Sequence, residues 1–136
     1  MSDQYKSYIV DTHVLLWFLA GDKRLSQTVK SILESFRGTL ILPATALAEA
    51  FWIVQTGKLP IAVEHIIRIL NSDSRFVVYP LDRQVIEKCN SLTTIREMHD
   101  RQIVATTLVH SERNSQIAIL TRDKNISESA LVPVVW

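Results

Sequence analysis

The sequence predicts an α/β fold, a three-layer α/β/α sandwich on a central parallel sheet. Short β-branched and aromatic runs alternate with stretches of helical periodicity, and strands separated by helices pair in parallel through crossover connections. The 136 residues suit one domain, spanning 1–136. Hydrophobic residues make up 47%, with three glycines and four prolines, which excludes a disordered or low-complexity chain.

The elements follow in order. Tyr8-Ile9-Val10 reads as a buried strand, and Thr12 to Leu19 as a helix. Ser26 is placed to cap a second helix, to about Phe36, with Val29, Ile32, Leu33 and Phe36 on one face. Leu40-Ile41-Leu42 is a strand ended by Pro43, which suits the start of a helix from Ala44 to Thr56. Gly57 lies where a helix C-terminal glycine is expected. Ile61 to Leu70 forms another amphipathic helix, Phe76 to Tyr79 a strand, and Asp82 caps a helix to about Leu92. Asp100 opens a helix carrying Ile103, Val104, Thr107 and Leu108. Ile117 to Leu120 and Val132 to Val135 complete five strands.

Fifteen Lys and Arg against fourteen Asp and Glu give a net charge of +1, so any nucleic-acid chemistry must rest on a local site and not on a basic surface. The lone Cys89 forms neither an internal disulfide nor a cysteine-based zinc site. Met1 to Ser7 lacks an apolar signal core, and the longest apolar run, Val14 to Ala20, falls short of the ~20 residues of a membrane span, so the expected location is cytoplasmic. Gly21, Gly38 and Gly57 lie too far apart for a GxGxxG fingerprint or a Walker loop.

Four carboxylates stand out. Asp11 directly follows the first strand, and Asp123 follows the fourth in Leu120-Thr121-Arg122-Asp123. Asp100 heads a helix, and Glu49 sits among Ala46, Leu47, Phe51, Trp52, Ile53 and Val54. Each alone has a plainer role as a helix cap, a turn residue or half of a salt bridge. Their joint arrangement matters more, because sites in parallel sheets form at the carboxyl ends of strands where the strand order reverses. If the first and fourth strands are neighbours, all four can converge. Two carboxylates ~5 Å apart repel by roughly 3 kcal/mol at an effective dielectric of about 20, so such a group needs a cation. All-oxygen ligation suits Mg²⁺ or Mn²⁺, and the natural chemistry is phosphodiester hydrolysis.

At these residues the chain resembles the PIN-domain ribonucleases, and among them the VapC-like toxins of bacterial toxin–antitoxin pairs. The matching segments are Ile9-Val10-Asp11-Thr12-His13-Val14-Leu15-Leu16-Trp17, Ala46-Leu47-Ala48-Glu49, Gly57-Lys58-Leu59, Asp100-Arg101-Gln102-Ile103-Val104-Ala105-Thr106-Thr107 and Leu120-Thr121-Arg122-Asp123. They cover nearly the whole chain. The resemblance implies that Asp11, Glu49, Asp100 and Asp123 are both the catalytic and the metal-holding acids. Thr121, Thr12 and Arg101 match supporting positions. Glu97-Met98-His99 departs from the family's usual Asp and Pro in the approach to Asp100. The implied protein is a PIN-like endoribonuclease using one or two Mg²⁺ or Mn²⁺ ions, dimeric and held inactive by a cognate antitoxin.

In that scheme a metal-activated water attacks the phosphate in line, leaving a 5′-phosphate and a 3′-hydroxyl on single-stranded or looped RNA. Arg122, Lys124 and Arg101 are candidates for phosphate contacts. Leu15, Trp17, Phe18 and Trp52 are candidates for an exposed apolar patch that receives an antitoxin segment. His13, His65, His99 and His110 show no metal-ligand spacing. Two other readings compete: a PIN-like interaction module without catalysis, and, more weakly, a receiver-like phosphoryl-transfer domain.

Overall fold

A computed structural model describes residues 4–114 and 116–136. Its five strands are β1 (Ser7–Val10), β2 (Thr39–Pro43), β3 (Phe76–Tyr79), β4 (Ile117–Leu120) and β5 (Val134–Val135). They form one sheet in the order β3-β2-β1-β4-β5, and every neighbouring pair is parallel. The helices are α1 (Thr12–Ala20), α2 (Gln27–Ser35), α3 (Ala44–Gln55), α4 (Val63–Ser72), α5 (Arg83–Cys89), α6 (Met98–Ser111) and α7 (Lys124–Ser129). The expected α/β/α sandwich is the observed fold.

The strands' period of two decides which helices cover which face. Tyr8, Val10, Leu40, Leu42, Ala118 and Leu120 pack with Val14, Leu15, Leu16, Leu33, Ala50 and Ile66 of α1 to α4. Ile9, Ile41, Ile117 and Ile119 point the other way, against Val85, Ile103, Val109 and Ile126 of α5 to α7. Connections from β1 to β3 therefore cross one face, and those from β3 to β5 cross the other. The reversal falls between β1 and β4, where Val10 pairs with Leu120, and a crevice opens beyond their carboxyl ends.

Local chemistry sets the helix ends. The Ser26 hydroxyl accepts from the Val29 amide at 3.1 Å, and the Asp82 carboxylate from the Val85 amide at 3.0 Å. Gly21 ends α1 with φ +63°, and the Asp22 amide donates back to the Trp17 carbonyl at 2.9 Å.

The largest departures from expectation are two boundaries and one additional helix. The helix read as opening at Asp100 begins at Met98, because Glu97 caps it by accepting from the Asp100 amide at 2.7 Å. The last strand is confined to Val134–Val135. The helix α7 was not foreseen; its six residues bury only Ile126, too little for a helical period to show.

Gly38 sits where the chain enters β2, and a Cβ there would lie 2.5 Å from the Lys6 carbonyl oxygen and 2.4 Å from Phe36 Cζ. Gly38→Ala is expected to destabilise the protein by about 1–3 kcal/mol, since backbone or a packed ring must move. Urea denaturation checks this, as a lower midpoint at unchanged slope.

Candidate active site

Asp11 leaves the end of β1 and is buried at 9% exposure. Its carboxylate accepts from the Thr12 amide at 2.7 Å and from the Thr121 hydroxyl at 2.5 Å. The same Thr121 oxygen accepts from the Asp123 amide at 3.0 Å. One hydroxyl thus couples the ends of β1 and β4 and fixes both acids relative to the sheet. Burial raises the Asp11 carboxyl above its ordinary range; the Thr121 and Thr12 hydrogen bonds and the nearby His13 oppose the shift, and Asp123 adds to it. Asp123 also caps α7, accepting from the Asn125 amide at 2.7 Å.

Asp100 arrives from the opposite side, in the first turn of α6, and is 8% exposed. Burial pushes its carboxyl up to about 7, and the charges of Asp123, Glu97 and Asp11 add to the rise, against a hydrogen bond from Asn125. Asp11, Asp100 and Asp123 are therefore near enough to feel one another, although they come from three distant stretches of chain. Sequence reasoning missed Glu97 and Asn125 as members of this neighbourhood. The position of Glu97 three residues before Asp100 was a legible capping signal; nothing marked Asn125.

The other expected residues have different surroundings. Glu49, half-buried on α3, faces the His99 ring, with Oε2 3.3 Å from Nδ1. His99 also lies 3.7 Å from Glu97, so it stands between Glu49 and the acids around Asp100. The Arg101 Nε donates to the Ile95 carbonyl, which pins the loop before α6, and its charge acts on Cys89. The Thr12 hydroxyl is wholly buried beside Asp11 with no hydrogen-bond partner among the described residues. Among those residues, no three His, Cys, Asp or Glu side chains stand as a ready set of metal ligands.

The expected apolar patch is also revised. Leu15 is fully buried in the core, and Trp17 is only 5% exposed, set among the His13 and Trp136 rings and the Arg24 and Arg122 guanidiniums. Phe18 is half-buried against the core. Trp52, on the outer face of α3, is 67% exposed.

The folded protein holds the Asp100 proton more tightly than the unfolded chain, whose carboxyl has the ordinary value of 3.8. The resulting penalty on the fold is absent below about pH 4 and grows as the pH rises toward 7. In metal-free buffer, Asp100→Asn is expected to raise the melting temperature by about 3–8 °C at pH 8 and to leave it nearly unchanged at pH 4. Thermal scans at the two pH values check the sign.

The PIN domain family profile matches residues 8–130, which include all four acids. No curated protein matches the chain. Among solved structures, FitAcB from Neisseria gonorrhoeae superposes with TM-score 0.66 at 20% identity, over 95% of this chain and 96% of that one. A toxin–antitoxin complex from Klebsiella pneumoniae gives 0.68 at 17% identity, over 95% and 96%. VapC20 of Mycobacterium tuberculosis, described as a sarcin–ricin loop cleaving toxin, gives 0.68 at 14% identity, over 92% and 96%. At such identities the structures establish a common fold, and the profile match across most of the sequence establishes descent: the chain belongs to the PIN-domain family.

Proposed function

We propose that this protein is a divalent-metal-dependent endoribonuclease and the toxin of a toxin–antitoxin pair. Asp11, Asp100 and Asp123 are its metal-holding acids, and Glu49 borders the site through His99. One observation carries the reading. Asp100 is buried beside Asp123, Glu97 and Asp11, and burial first, then the charges of these three acids, push its carboxyl up to about 7. Carboxylates gathered in this way hold a negative potential that a doubly charged cation relieves.

The residues fit such an ion by their chemistry. Their donors are all oxygen, and the buried Thr12 hydroxyl beside Asp11 adds another without a partner among the described residues. Mg²⁺ keeps several of its waters and takes one or two carboxylates, so it does not require three preformed ligands. When bound, one or two such ions would neutralise the scissile phosphate and lower the pKa of the attacking water. The chain's own work is positional. Thr121 holds Asp11 and Asp123 in register, the Asn125 side chain steadies Asp100, and Glu97 anchors the turn that presents it. Near neutral pH Asp100 must give up a proton to serve as a ligand, so metal affinity should rise between pH 6 and 8.

The description of the tuberculosis relative as a sarcin–ricin loop cleaving toxin supports structured RNA as the substrate class. The Klebsiella complex supports a cognate antitoxin as partner. A homodimer is the assembly we propose with it.

The test is a panel of structured RNAs with Mg²⁺ or Mn²⁺, wild type beside Asp100→Asn, with the new ends mapped. Wild type should cleave to 5′-phosphate and 3′-hydroxyl ends, and Asp100→Asn should lose at least about a hundredfold while staying folded. An equally active variant sinks the assignment. Calorimetry with Mn²⁺ gives a second readout: wild type should bind more tightly at pH 8 than at pH 6, and Asp100→Asn weakly at both.

A further inference from the structure

The hollow that opens on Asp11 and Asp123, about 450 Å³, is also lined by Arg24, Arg122 and Lys124. These cations are not equivalent. Arg24 is committed to Asp22, with Nη2 at 2.8 Å and Nε at 3.0 Å from its carboxylate oxygens. Arg122 and Lys124 are exposed and form no salt bridge with any carboxylate among the described residues, although the Arg122 charge, like that of Arg24, acts on Asp22. The Arg122 Cζ lies 4.8 Å from the centroid of the Trp17 ring.

That ring is itself nearly closed to solvent, at 5% exposure, so it offers no free face to a nucleobase. The ring instead carries two guanidiniums, with the Arg24 Cζ 4.9 Å from the same centroid. A stacked guanidinium surrenders little mobility on binding and keeps its edge donors free for a planar or tetrahedral anion. We propose that Arg122, seated on Trp17, and Lys124 form a phosphate-binding subsite that grips the RNA backbone on the flank of the acidic centre nearest α1. This rests on the nuclease reading above and adds the direction of the strand. Clustered carboxylates repel a polyanion, and the cationic wall defines the side from which the backbone is held. Arg101, equally close to an acid in sequence, is tied to Ile95 and has no part in it.

The experiment measures fluorescence anisotropy of a short labelled single-stranded RNA with Mg²⁺, in the Asp100→Asn background so that the RNA stays intact. Arg122→Ala should weaken binding about tenfold and make the slope of log affinity against log salt shallower by about 0.7, the loss of one phosphate contact. Arg122→Lys should keep the slope with intermediate affinity, because it retains the charge without the stacked plane. Arg68→Ala, which removes an exposed charge on α4 outside this hollow, should leave the slope unchanged. The subsite is overturned if Arg122→Ala binds with the parent's affinity and slope. With wild type still cleaving RNA, that result leaves the nuclease reading intact. Conversely, if wild type cleaves no RNA but Arg122→Ala still loses binding, the subsite stands and the nuclease reading falls. A parent that binds no RNA at all overturns the subsite as well.

Discussion

The burial of Asp11 at the end of a central strand is the constraint around which the site is organised. A carboxylate taken out of water costs several kcal/mol unless hydrogen bonds or charges compensate it. Here the compensation comes from the Thr121 hydroxyl, the Thr12 amide and the field of His13. Thr121 reaches Asp11 because β4 lies directly beside β1, and its oxygen also accepts from the Asp123 amide. The strand order therefore does chemical work: separating β1 from β4 would leave Asp11 without its donor and Asp123 without its anchor.

Charge is segregated over short distances in a chain whose net charge is +1. Asp123 raises the proton affinity of both Asp11 and Asp100, and Asp11 adds to that of Asp100. Arg24, Arg122 and Lys124 line the hollow that Asp11 and Asp123 also line. The indole of Trp17 has the His13 ring 5.5 Å from its own and two guanidinium carbons within 5 Å of its centroid. Acids and cations thus share one small hollow, and the near-zero total conceals a strongly polarised site.

Glu49 shows how helix rotation decides membership. On α3 its neighbours along the chain are apolar, which suggests a carboxylate turned toward the interior or a cleft. The helix is locked to α6 by a hydrogen bond from the Thr45 hydroxyl to Gln102 at 2.7 Å. In that orientation Glu49 meets His99. The same rotation turns Trp52 outward, beside a broad hollow of about 680 Å³ lined by Leu81 and Met98.

By itself, the sequence determined the strands and most helices, because alternation on the sheet and capping residues such as Ser26 and Asp82 are local signals. It also singled out Asp11, Asp100 and Asp123, since acids at strand ends and helix heads follow from the same local pattern. Tertiary structure alone decided that β1 and β4 adjoin, that Asn125 and Glu97 enter the neighbourhood of Asp100, that Arg101 turns away, and that Trp17 is covered while Trp52 is not. These outcomes depend on how whole elements are rotated and stacked against each other. That is settled by packing between residues far apart along the chain, which no window of local sequence encodes.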